Sequence, residues 1–143
     1  MENITSRCAI STTGTEPYTT AVTIFGELEH QLINDVPPGE GGQGKGPTPH
    51  EMLEAAVASC KAITVRMYAD RKKWPLESVT AKVRHQLRPK EEGGPKVHHF
   101  DAQVQFTGDL TDEQRHRLHE ISGRCSIQKI LQSETVFESD LDD

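Results

Sequence analysis

The sequence predicts an α+β fold in which strands and helices follow one another in blocks instead of alternating as parallel βαβ units. Three observations carry that expectation. A glycine- and proline-rich stretch leads into a capped helix with an apolar stripe, two strand-like runs flank an EEGGP turn, and a second capping box opens a further helical segment. At 143 residues the chain is expected to be one domain, 1–143, with one hydrophobic core.

Residues 17–33, YTTAVTIFGELEHQLIN, mix β-branched residues with an interruption at Gly26, as two short strands joined by a turn would. From Asp35 to Pro49 the run DVPPGEGGQGKGPTP excludes regular helix and central strand, and delivers the chain to a helix. Thr48 caps that helix, Pro49 suits its first position and Glu51 completes a T-x-x-E box. Leu53, Ala56, Val57, Cys60, Ile63, Thr64 and Met67 then recur at three- and four-residue steps, forming a mostly apolar stripe with Cys60 near its middle. Arg71, Lys72 and Lys73 suit a helix C-terminus, and Pro75 stops continuation.

Strands are expected over 78–87 and 97–106, with clear alternation at Val79, Ala81 and Val83. Thr111 with Gln114 forms the second capping box; Leu118, Ile121 and Ser122 mark the inward side of a helix ending near Gly123. Ile127, Ile130 and Leu131 imply another helical turn or two with Cys125 at its N-terminus, and a last strand is expected over 135–139 before an acidic tail. The predicted order is two or three strands, a helix, two strands, two helices and a strand.

A net charge of −6 without a basic stripe argues against nucleic acid as a partner. No stretch approaches the ~20 apolar residues that span a bilayer, and no apolar run follows a basic start, so a cytoplasmic location without membrane contact is expected. Three cysteines, at 8, 60 and 125, lack CxxC spacing, which argues against a disulfide framework and a zinc knuckle. Of seven histidines only His98 and His99 adjoin, and strand neighbours point to opposite faces; no metal or other cofactor is expected.

Two readings are open for each helical cysteine. Cys60 is either a small buried hydrophobe or a reactive thiol, and the second reading needs a nearby cation or donor, since Cys60 stands twelve positions beyond its own helix cap. Cys125 is either a plug between two helices or a thiolate favoured by a helix N-terminus. Cys8 has no supporting constellation.

Taken together, GGQGKGPTPHEMLEAAVASCKAITVRMYADRKKWPLE and HRLHEISGRCSIQKIL resemble the OsmC/Ohr family, osmotically inducible and organic hydroperoxide resistance proteins, in its OsmC-like branch. The resemblance spans most of the chain: the glycine-rich loop, the P-x-P-x-E-x-L run Pro47 to Leu53, the A-A-x-x-x-C helix, and the later cysteine before a short helix. It implies antiparallel sheets packed on long central helices in an intertwined homodimer with active sites shared between subunits. Such a dimer would supply apolar contacts to a chain only 34% hydrophobic and 5% aromatic.

The resemblance further implies a thiol-dependent peroxidase with an antioxidant role, in which Cys60 is the nucleophile and Cys125 the resolving thiol. The substrate would be an organic hydroperoxide and the reductant an external dithiol. Where the family's peroxidases carry a glutamate ten residues ahead of the cysteine, this chain has His50, and Glu51, the carboxylate nearest to that position and nine residues before Cys60, joins the catalytic set. T-x-x-E also assigns Glu51 a plain capping role. The arginine expected to face the thiolate has no counterpart in its usual segment, which leaves Arg7, Lys45 and Arg66 as the available cations. That departure sustains a rival reading, a member of the family that binds a small molecule or partner without peroxidase activity. His30 is read as exposed, and Tyr68 and Trp74 as core or interface packing. No Ser-His-Asp order, phosphate loop or ligand cluster supports a hydrolase or metal enzyme.

Overall fold

The computed structural model describes residues 7–142 and has the α+β architecture expected, with antiparallel sheets and three α-helices. The first six residues, and Asp143 in the acidic tail, lie outside the described residues. The chain divides into two compact units, one ending at Leu53 and the other beginning at Glu54.

In the first unit, β1 (Cys8–Thr13), β2 (Thr20–Phe25) and β3 (Glu29–Asn34) form an antiparallel sheet in the order β1-β2-β3. The pairing of Phe25 with Glu29 leaves Gly26, Glu27 and Leu28 as the turn, where the sequence placed it. Beyond β3 the glycine-rich loop is organised by Asp35, which is almost fully buried. Its carboxylate accepts from Thr19 Oγ1 (2.9 Å), Val36 N (2.7 Å) and Lys45 N (3.1 Å). Burial works against ionisation of Asp35, but these donors outweigh it and hold its pKa below the ordinary carboxylate value. Gly46 is required where the loop returns, because a Cβ there would stand 2.0 Å from the Ile33 carbonyl oxygen.

Helix α1 (Pro49–Lys72) starts as the capping box dictates: Thr48 N donates to Glu51 Oε1 at 2.8 Å, and Glu51 N donates to Thr48 Oγ1 at 3.1 Å. It ends in a Schellman motif, with Trp74 N bonded to Ala69 O and Lys73 N to Asp70 O. Trp74 folds back on Tyr68, edge to face with ring centroids 5.6 Å apart, which supplies the apolar contact such a stop requires. Lys73 is the left-handed residue of the motif, at φ 59°.

In the second unit, β4 (Leu76–Pro89) and β5 (Lys96–Gly108) form a long hairpin that extends each expected strand outward by one to two residues. Half-buried Val79, Ala81 and Val83 alternate with exposed residues as predicted. The core joins Val65 and Ala69 of α1 to Leu76 of β4 and to Leu118 and Ile121 of α2 (Asp112–Ser122), whose capping box at Thr111 and Gln114 is complete. After the break at Gly123, α3 (Ser126–Leu131) follows.

The apolar stripe of α1 lies apart from the core, and the expected last strand is corrected. The inward ridge of α1 is Val57, Lys61, Val65 and Ala69, at strict four-residue steps, and of the apolar stripe only Val57 belongs to it. Leu53, Ala56, Ile63 and Met67 are exposed, because α2 meets the helix on the adjacent ridge and leaves the more apolar stripe free. Residues 135–139 form no strand: the described strands do not pair with them, and Phe137 is 94% exposed.

A non-glycine residue in the left-handed region is disfavoured by roughly 1 kcal/mol. Lys73→Gly is therefore expected to raise the free energy of unfolding by about 0.5–1 kcal/mol in urea titrations; an unchanged or lower midpoint would show that the Lys73 side chain contributes more than its backbone strain.

Candidate functional site

The first turn of α3 is built around sulfur. Cys125 is its N-cap residue, completely buried, and its Sγ accepts from Gln128 N at 3.4 Å. The break at Gly123 delivers it there: Gly123 N and Arg124 N bond back to Glu120 O and Ile121 O, ending α2 two residues before the thiol. The same turn reaches Cys60, half-buried on α1, whose Sγ lies 3.7 Å from Ser126 Oγ and 4.0 Å from Thr64 Oγ1 one helical turn onward. The two thiols, 65 positions apart in sequence, are near enough for each to shift the ionisation of the other.

Burial alone would raise the pKa of Cys60, yet it falls to about 7. The opposing donors are the Cys125 thiol, Ile127 N–H, and the Ser126 and Thr64 hydroxyls. Cys125 moves the other way. Burial raises its pKa first, and donation to Cys60 keeps its proton in place, against the weaker pull of the Gln128 and Ile127 N–H groups. The helix terminus does favour a thiolate at Cys125 through the Gln128 and Ile127 N–H groups, but burial and Cys60 outweigh it, while Cys60 gains the Ile127 N–H from the neighbouring helix. The result is one ionisable, accessible thiol beside one buried, protonated thiol.

No cation is required for this arrangement, and the expected substitutes are engaged elsewhere. Arg66 donates to Leu76 O and Glu77 O, both at 2.8 Å, fastening the start of β4 to α1. Lys45 pairs with Glu16 at 3.1 Å. Glu51 is the capping acid of α1, and His30 is exposed on β3. The residue that sequence reasoning passed over is Lys61. It is only 5% exposed, and its Nζ donates to Ser122 O at 3.0 Å and to Gln128 Oε1 at 2.5 Å. Its four-residue spacing from Val57 and Val65 was the available signal, masked by the charge of the residue.

A separate open cavity of about 640 Å³ lies beside Tyr68 and Trp74 and is otherwise lined by α2 residues including Gln114 and Arg117. Arg117 Nε donates to Tyr68 Oη at 3.0 Å, so the ring and the cation form one surface. Among the described residues, no helix is long and apolar enough to cross a membrane.

The OsmC-like protein family profile matches residues 42–140. No curated protein matches the chain at a significant level. Solved structures with a similar fold include an OsmC like protein from Mycoplasma pneumoniae, with TM-score 0.66 and 16% identity over 88% of this chain and 86% of that one. An organic hydroperoxide resistance protein from Elizabethkingia anophelis aligns with TM-score 0.63 and 21% identity over 92% and 91% of the two chains. The organic hydroperoxide resistance protein OsmC from Legionella pneumophila gives TM-score 0.61 and 22% identity over 88% of each.

Brief alkylation at pH 7 followed by peptide mass mapping is expected to modify Cys60 ahead of Cys125. Ser126→Ala, which removes one donor, should slow Cys60 alkylation about two- to fivefold by raising its pKa. Faster labelling at Cys125 would reverse the assignment of the two thiols.

Proposed function

The chain belongs to the family of OsmC-like proteins, and on that premise we propose that it is a thiol-dependent peroxidase that reduces organic hydroperoxides. The observation that carries the proposal is the asymmetric thiol pair: Cys60 with pKa lowered to about 7, and Cys125 beside it with pKa raised. An ordinary thiol near pKa ~8.5 is only a few per cent ionised at pH 7, whereas Cys60 is about half thiolate.

In the proposed reaction the Cys60 thiolate attacks the terminal oxygen of R–O–OH. The S–O bond forms as O–O breaks, and the alkoxide takes a proton to leave as alcohol, with Cys60 now a sulfenic acid. Loss of the Cys60 negative charge removes part of what holds the proton on Cys125. The Cys125 sulfur then attacks Cys60; the S–S bond forms and the sulfenic oxygen departs as water. Two exchanges with an external dithiol restore both thiols.

Cys60 shares its helix stripe with Leu53, Ala56, Ile63 and Met67, whose 3-4-3-4 spacing is that of a helix-packing seam, with Ile63 55% and Met67 58% exposed. We assign this stripe to a homodimer interface that encloses the site and presents apolar surface to the alkyl tail of the peroxide, where each buried CH₂ contributes about 0.8 kcal/mol. Glu51 enters as the capping acid that fixes the start of the helix carrying Cys60. A cytoplasmic setting, which keeps unreacted thiols reduced, is part of the proposal. The cavity beside Tyr68 and Trp74 favours the second reading, a family member that binds a small molecule without peroxidase activity.

One equivalent of cumene hydroperoxide is expected to produce a Cys60–Cys125 disulfide, read by intact mass and peptide linkage, and Cys125→Ser to stop at a sulfenic acid that a dimedone probe traps. Both thiols remaining free in parallel with a competent thiol peroxidase would favour the binding reading.

The role of Glu51 separates with two variants. Glu51→Gln preserves the capping box and is expected to retain both stability and peroxide turnover, while Glu51→Ala loses about 1 kcal/mol of stability. Loss of turnover in Glu51→Gln at unchanged stability would make the carboxylate part of the chemistry.

A further inference from the structure

Lys61 follows Cys60 on α1 but points along the buried ridge, where an ammonium is tolerated only if its donors find acceptors. Among the described residues its acceptors are two neutral oxygens, each on one side of Cys125: Ser122 O, at the last turn of α2, and Gln128 Oε1, in the first turn of α3. Gln128 is also the residue whose backbone N–H holds Cys125 Sγ at 3.4 Å. One buried side chain therefore grips both ends of the five-residue segment between Ser122 and Gln128, while its own backbone adjoins Cys60.

We infer that Lys61 is a positioning residue for the thiol pair: it pins the segment carrying Cys125 against α1, so that the two sulfurs are held within reach of each other. The inference rests on the proposed thiol-pair chemistry for its biological consequence, which is fast closure of the disulfide after peroxide attack. The pinned segment also carries the Ser126 and Ile127 donors to Cys60, so losing the contact would slow the first attack as well as closure. Slow closure would leave the Cys60 sulfenic acid exposed to a second hydroperoxide, which would oxidise it to sulfinic acid and be reduced to alcohol.

The reduced full-length protein is equilibrated in glutathione buffers, where two Cys thiols and one oxidised glutathione give the Cys60–Cys125 disulfide and two reduced glutathiones. Lys61→Met and Gln128→Leu are each expected to lower that equilibrium constant about tenfold, with Cys60–glutathione mixed disulfide accumulating in place of the intramolecular bond. Gln128→Glu, which keeps an acceptor for Nζ, should stay within about twofold of the unmodified protein. In a single turnover with cumene hydroperoxide, Lys61→Met should form sulfenic acid more slowly and, once it is formed, overoxidise it more readily.

If Lys61→Met does not fold, Gln128→Leu decides, because it leaves the lysine in place. Equilibrium constants unchanged in Gln128→Leu, or in a folded Lys61→Met, would overturn the inference. An unmodified protein that forms the disulfide with oxidised glutathione but not with hydroperoxide would contradict the peroxidase proposal and leave the positioning role standing.

Discussion

The contact on which the site depends is that between one helix and the first turn of another: Cys60 of α1 against Cys125, Ser126 and Ile127 of α3. Everything chemical follows from which sulfur receives the donors. Hydrogen bonds to the charged form of Cys60 outweigh the desolvation that would otherwise raise its pKa, and one of those donors is the other thiol. A proton shared in that sense favours ionisation at one sulfur and disfavours it at its neighbour, which is why the pair separates into a half-buried, ionisable thiol and a buried, protonated one.

The rest of the second unit serves to hold that contact. The core of Val65, Ala69, Leu76, Leu118 and Ile121 packs α2 on α1. Gly123 and the back-bonded Arg124 turn the chain at the end of α2, and the buried ammonium of Lys61 ties both sides of the turn to α1. Arg66, one of the cations available in the sequence, instead secures the beginning of β4. The chain thus reaches an activated thiol through neutral donors, without an arginine at the sulfur.

Much of this was legible in the sequence where the signal is local. Thr48, Pro49 and Glu51 marked the start of α1 because capping is a contact between residues three apart, and Thr111 with Gln114 did the same for α2. Cys125 beside a helix start, and the turn at Gly26, were equally visible. What the sequence hid depends on choices between elements. A helix with two ridges does not reveal which one its neighbour selects, so the burial of Lys61 beside Val57 and Val65, and the exposure of Ile63 and Met67, are not legible in the sequence. The direction of the thiol shifts was hidden for the same reason: position at a helix N-terminus favoured Cys125, but the sulfur that approaches those N–H groups from α1 is Cys60. The strand expected over 135–139 failed because alternation in sequence does not supply a pairing partner.

The central claim is that Cys125 and the first turn of α3 ionise Cys60, and a direct titration of the thiolate tests it. Thiolate ultraviolet absorbance would be followed against pH in a protein whose Cys8 is replaced by serine, with and without Cys125→Ala. The account predicts a Cys60 midpoint at about 7 that moves upward when the Cys125 thiol is removed. A midpoint at the ordinary thiol value of about 8.5, or one indifferent to Cys125, would contradict it.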